Sequence, residues 1–174
     1  MSVQTFKDVI WPIRDKLYRF ALRITGNAHE AEDVVQEVLE RVWVQSEVQT
    51  GAVQNWEAWC MTMTRNRSLD KTRMLAQRRT APLEGASDQH AHGADPAKSA
   101  EDRDLAARVR HFMQDLPEKQ RLVMHLRDIE ELSYEEITQV LDIPLDQVKV
   151  NLHRARKNIR ERLLQVDSVT AVNV

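Results

Sequence analysis

This 174-residue chain has one cysteine, four glycines, five prolines and only 5% aromatic residues, and each scarcity excludes something. A single thiol cannot form an internal disulfide. Cys60 lies between Trp59 and Met61 in a helical pattern and reads most simply as a small buried side chain. The few glycines form no P-loop, no serine sits in a nucleophile elbow, and the histidines and the cysteine form no cluster with metal-ligand spacing, which removes the usual sequence signs of an enzyme. No apolar run approaches the roughly 20 residues needed to span a bilayer, and the N-terminus has no signal-peptide core. The protein is therefore expected in the cytoplasm. Period-2 alternation, the mark of a half-buried strand, is also missing.

What the chain does have is helical periodicity and unevenly placed charge. At 42% hydrophobic and 30% charged residues the composition is that of an ordinary globular protein, and the net charge is only −2. Locally the balance is very different. Residues 29–47 carry six acids (Glu30, Glu32, Asp33, Glu37, Glu40, Glu47) against Arg41, a local −5. Residues 65–79 carry Arg65, Arg67, Lys71, Arg73, Arg78 and Arg79 against Asp70, a local +5. Residues 149–162 hold six Lys/Arg and one acid, again +5. Two basic segments with an acidic one before the first suggest separate contacts to nucleic acid and to a basic protein partner.

Three helical patterns precede residue 80. Phe6, Ile10, Ile13, Leu17, Phe20 and Ile24 mark the first, ended by Gly26 and Asn27. Ala31, Val34, Val38 and Val42 mark the second, widened by Val35, Leu39 and Trp43. Trp56, Trp59, Cys60, Met63 and Leu69 mark the third, after a loop over 46–55. Residues 80–100 are rich in Ala, Gly, Pro, Ser, Asp and His with one large aliphatic, Leu83, and read as a flexible linker; His90 and His92 within it are read as solvated. Leu105, Val109, Phe112 and Leu116 then form a helix stopped by Pro117, and Leu122, Val123, Leu126 and Ile129 form the next. The expected fold is all-α, two small helical bundles joined by the linker, the C-terminal one containing a helix-turn-helix. The expected divisions are 1–79, 80–100, 101–165 and a tail at 166–174.

The stretch from Leu132 to Arg162 is the most specific. Ser133 can cap a short helix with Glu135 and Glu136 in its first turn and Ile137, Val140 and Leu141 on its buried side. Asp142 tolerates a left-handed turn, and Pro144 suits the start of the next helix. Val148, Leu152, Ala155, Ile159 and Leu163 share one side of that helix. Gln147, Lys149, Asn151, His153, Arg154, Arg156, Lys157 and Arg160 take the other. These residue types hydrogen-bond base edges and neutralise phosphates, so a duplex-reading helix is expected rather than a solvated basic face.

Residues 31–43 (AEDVVQEVLERVW), 55–73 (NWEAWCMTMTRNRSLDKTR) and 116–163 (LPEKQR, LSYEEI and HRAR within them) together resemble a bacterial sigma factor of the extracytoplasmic-function type. The three blocks stand in the family's order over nearly the whole chain. The resemblance implies a transcription initiation factor that binds core RNA polymerase, directs it to a promoter and helps open the DNA, with no catalytic residues and no cofactor. It implies polymerase docking through Asp33, Val35, Gln36, Glu37, Leu39 and Glu40. The acids, with an apolar stripe behind them, are expected to be exposed, so that reversing Glu37 would barely affect stability. Capture of the unpaired minus-10 strand falls to Arg65, Asn66, Arg67, Lys71 and Arg73, with Asn66 lining a pocket for a flipped base. Trp59 is expected in the core, and Trp56 is left between core and stacking. The minus-35 duplex falls to Gln147, Lys149, Asn151, His153 and Arg154, with Arg156 and Lys157 on phosphates. An anti-sigma partner, soluble or membrane-bound, is implied as well. Three residues depart from the pattern: Val150 replaces a small polar residue, Asn151 an arginine, and Asp142 a turn glycine. The alternative is a free-standing helix-turn-helix regulator acting without polymerase, which leaves the acidic helix and the Asn66 segment unexplained.

Overall fold

The computed structural model describes residues 4, 6–48, 53–78 and 100–172, so most of the expected linker, with His90 and His92, lies outside the described residues. All regular structure among them is helical, in two compact units.

The N-terminal unit opens with a π turn, Phe6–Ile10, and a 3-10 turn, Trp11–Ile13, before α1 (Arg14–Thr25) begins. One continuous helix from Phe6 was the sequence expectation. Pro12 is the reason it fails, since it lacks an amide hydrogen and its ring crowds the preceding turn. Gly26 closes α1 at φ +67°, its N–H bonded to the Leu22 carbonyl, a conformation that suits a residue without Cβ. Asn27, read in the sequence as part of that stop, instead caps the next helix: its Oδ1 accepts the Glu30 N–H at 3.1 Å. α2 runs Ala28–Val48 and α3 Trp56–Arg78, the latter capped by Asn55, whose Oδ1 accepts the Ala58 N–H at 3.0 Å. The three helices pack on one another around Ile10, Leu17, Phe20, Ala31, Val34, Val38, Val42, Cys60 and Met61. Burying each large side chain of this set contributes about 1.5–3 kcal/mol.

In the C-terminal unit α4 is Ala100–Gln114, so the helix already starts at the last residue assigned to the linker. α5 (Glu118–Met124) widens into a π turn, His125–Ile129. His125 and Glu130 are paired inside, Nε2 to Oε1 at 3.2 Å, and both are fully buried. α6 (Tyr134–Leu141) and α7 (Leu145–Val172) complete the unit, and α7 continues well past residue 165, where a tail was expected. Leu105, assigned to the buried stripe of α4, is 44% exposed, whereas Met113 and Leu116 are buried.

Candidate nucleic-acid and protein interfaces

The acidic helix does not present all its carboxylates to solvent. Glu30, Asp33 and Glu37 recur three and four residues apart on α2 and so form one ridge, on the flank beside α3. Lys71 reaches across from α3: its Nζ is 2.8 Å from Asp33 Oδ2, 3.1 Å from Glu30 Oε2 and 3.8 Å from Glu37 Oε1. One turn earlier the Arg67 Nε donates to Glu37 Oε2. Burial pulls the Lys71 ammonium down, but the hydrogen bonds to Asp33 and Glu30 outweigh it and leave its pKa raised. Asp33 moves the other way, held below its ordinary value first by the Lys71 hydrogen bond. The expectation that Asp33 and Glu37 stand free in solvent is therefore corrected. Both are half-buried partners of the very basic residues assigned to DNA. Sequence separations of 30 and 38 positions hid the pairing. Gln36 and Glu40 are exposed as expected, joined by a 3.0 Å bond from Gln36 Nε2 to Glu40 Oε1. Val35 and Leu39 are half-buried.

Asn66 directly precedes Arg67 on α3. It is exposed and lines an open groove of about 330 Å³ between α2 and α3, with Glu37, Val38, Arg41, Met63, Arg67 and Asp70. Its volume sits at the small end of the range for ligand clefts, and it stands open to solvent. Arg65 Nη1 donates to Asn66 Oδ1 at 3.3 Å. Arg73, seven residues on and so on the same side of the helix, is largely exposed, with Asp70 only 3.8 Å away. Trp56 and Trp59 form an edge-to-face pair, centroids 5.5 Å apart at 85°. Both are half-buried, so Trp59 is less enclosed than expected. Cys60 is fully buried, and burial first, then Glu57, pushes its thiol up to about 12.

The helix-turn-helix is built as the sequence suggested, with additions. Ser133 Oγ accepts the Glu136 N–H at 3.1 Å while Glu136 Oε2 accepts the Ser133 N–H at 2.6 Å, a reciprocal capping box. Asp142 takes φ +52°, the left-handed turn residue expected of it, and Glu131, with no sequence signal, takes φ +64° before Leu132. Val148, Leu152, Ala155 and Ile159 are buried against the unit, and Leu163 half-buried. Gln147, Lys149, Val150, His153, Arg154, Lys157 and Arg160 face out. Three residues of the expected minus-35 set are engaged within the protein, Lys157 loosely, 3.8 Å from Glu161, and two others by hydrogen bonds. Asn151 Nδ2 donates to the Gln147 carbonyl at 2.8 Å. Arg156 is clamped by Asp128, its Nε donating at 3.1 Å and its Nη2 to the second carboxylate oxygen.

The sigma-70 region 2 family matches residues 12–79, and the sigma-70 region 4 family matches 106–159. The ECF RNA polymerase sigma factor SigW of Bacillus subtilis is 31% identical over 166 residues, covering 91% of this chain and 88% of SigW. The chain belongs to the ECF sigma factors. SigE of Mycolicibacterium smegmatis is 35% identical over 98% of the chain, which spans 66% of that relative. In fold, the sigma factor resembles the RpoE chain solved in complex with the anti-sigma factor NepR from Bartonella quintana, with TM-score 0.74, 24% identity, and coverage of 95% of this chain and 99% of that one. CnrH in complex with the cytosolic domain of CnrY gives TM-score 0.65 at 20% identity, over 95% of this chain and 91% of that one. Region 2 of this sigma factor thus holds the paired acidic ridge and the Asn66 groove, and region 4 holds the capping box and the outward face of α7. Among the described residues there is no group of metal-ligating side chains and no helix long and apolar enough to cross a membrane.

Proposed function

We propose that this sigma factor binds core RNA polymerase, brings it to a promoter and holds the opened DNA, itself performing no covalent chemistry, in the cytoplasm. The observation that carries the reading is the division of labour between the units: one has a groove with an exposed amide beside an acidic ridge, the other a capped helix-turn-helix with an outward basic face. A free-standing regulator would need only the second.

Polymerase docks on α2 through Gln36 and Glu40, with the ridge of Asp33 and Glu37 beside them and Val35 and Leu39 adding apolar area. Asn66 receives an unpaired minus-10 base in the groove, its amide pairing with a Watson–Crick edge while Arg65 and Arg73 hold the phosphates. Gln147, Lys149, His153 and Arg154 face the minus-35 duplex, with Lys157 on its backbone; Asn151 joins them by exchanging its contact to the Gln147 carbonyl for a base edge. Control by an anti-sigma factor is part of the proposal, supported by the two similar structures being complexes of that kind.

The test is transcription in vitro with purified core polymerase on templates from the source genome. Promoter-specific transcripts are expected only with the sigma factor added, and Asn66→Ala is expected to abolish permanganate reactivity of promoter thymines while duplex minus-35 binding persists. Sequence-specific duplex binding with no transcript from any template would return the protein to the free-standing class.

A further inference from the structure

We infer that Lys71 is a positioning residue of the polymerase-docking face and not a DNA phosphate contact. The inference rests on the docking reading above and deepens it, because it concerns how the carboxylates on α2 are held.

A cation serves a phosphate only if its field reaches the strand. The Lys71 side chain is only 13% exposed, and its ammonium lies within 4 Å of three carboxylates on the neighbouring helix. Three acids against Lys71 and Arg67 leave this cluster one net negative charge, which repels a phosphate. Moving Lys71 to DNA would strip Asp33 and Glu30 of their hydrogen-bonded partner together. The groove draws the same line. Lys71 and Arg67 are four residues apart on the side of α3 that meets α2, and although Glu37 and Arg67 also line the Asn66 groove, Lys71 does not. The +5 of residues 65–79 is therefore not one patch. Part of it is spent inside region 2, fastening α3 to the acidic ridge.

What Lys71 does there is geometric. Carboxylates without a fixed partner sample several rotamers and must be ordered when a basic partner docks; one ammonium shared by three of them fixes the ridge beforehand. Asp33, whose side chain remains 42% exposed, is then presented in one orientation next to Gln36 and Glu40.

The experiment uses the full chain. Lys71→Gln is expected to weaken affinity for core polymerase about tenfold. At saturating core, capture of a single-stranded minus-10 oligonucleotide and its salt dependence stay unchanged. Lys71→Arg is expected to restore core affinity. The double variant Lys71→Gln with Asp33→Asn should lose no more than the larger single loss, because Lys71 acts through Asp33. Unchanged core affinity with a salt slope shallower by about 0.7 would make Lys71 a phosphate clamp and overturn the inference. Additive losses in the double variant would make it general packing and overturn it as well. Asp33→Asn and Glu40→Gln measured alone separate the two levels. If both leave core affinity intact, the docking reading itself fails; if they weaken it and Lys71→Gln does not, only the role of Lys71 falls.

Discussion

Arg156 on α7 is gripped edge-on by Asp128 of the preceding π turn, its Nε and Nη2 each donating to one carboxylate oxygen, and this pair fixes α7 against its own domain. The hydrogen bond to Asp128 holds the arginine pKa above its ordinary value. A side chain spent this way has little left for a phosphate, whereas Lys157 next to it reaches only Glu161, at 3.8 Å. Arg156→Ala is expected to lower stability by up to about 1 kcal/mol, the pair being half exposed. Its effect on duplex affinity should be smaller than that of Lys157→Ala, which should also flatten the salt dependence. Denaturant titration and binding at several salt concentrations read both, and a larger DNA defect in Arg156→Ala would return it to the phosphate contacts.

Arg154 is expected to differ from Lys157 in kind. It projects from the outward face with no ion pair among the described residues and carries the fork that matches a guanine edge. Arg154→Ala should cost about 1–3 kcal/mol of binding and relax preference at one base pair, while Lys157→Ala weakens all sequences alike. Selection over randomised minus-35 elements shows the difference. A uniform loss in Arg154→Ala would leave the readout to Lys149, Asn151 and His153.

How much of this was legible depends on the range of each interaction. The caps at Ser133 and the left-handed turn at Asp142 follow from residue type within four positions, and the stripe from Val148 to Ile159 follows from helical period; all were readable. The pairs Lys71–Asp33, Arg67–Glu37 and Arg156–Asp128 join residues 28 to 38 positions apart, and no local pattern announces them. Charge patterning along the chain therefore overstated how much acid and base reaches the surface. At Pro12 two local signals conflict, a regular apolar spacing that favours one helix and a proline that interrupts it.

Glu131 was missed for a related reason: glutamate is not a turn residue, yet here it holds φ +64°. The left-handed region costs a residue with Cβ about 1–2 kcal/mol. Glu131→Gly removes that strain, less the greater backbone entropy glycine loses on folding. A net gain of about 1 kcal/mol is expected, and a smaller one for Asp142→Gly, since aspartate tolerates the conformation better. Urea midpoints decide it; a destabilised Glu131→Gly would mean that the glutamate side chain makes a contact worth more than the strain.

Cys60 supplies a pH dependence. Burial raises its pKa to about 12, so in the folded protein the thiol stays protonated where an unfolded one, near 9.0, ionises. A raised pKa means the folded state holds its proton longer; this contribution to stability is complete below pH 9 and fades as pH rises towards 12. Iodoacetamide should accordingly label the native protein very slowly at pH 8 and the urea-unfolded protein fast. Equal rates would show that the thiol is reached without unfolding.

Val150 is 45% exposed and stands opposite the buried side of α7, one turn before Arg154 and close to His153. A branched apolar side chain on an otherwise polar reading face has one partner in the major groove, the 5-methyl group of thymine. Wild-type protein should therefore prefer thymine at one minus-35 position. Replacing that thymine by deoxyuridine, which removes only the methyl, should weaken binding by about 0.5–1 kcal/mol. Val150→Ser should lose both the preference and the sensitivity to deoxyuridine, so that the two changes together cost no more than either alone. Single scattered apolar residues on a surface are common and need no role, and equal affinity for thymine and deoxyuridine at every position would place Val150 among them, leaving base preference to its charged neighbours.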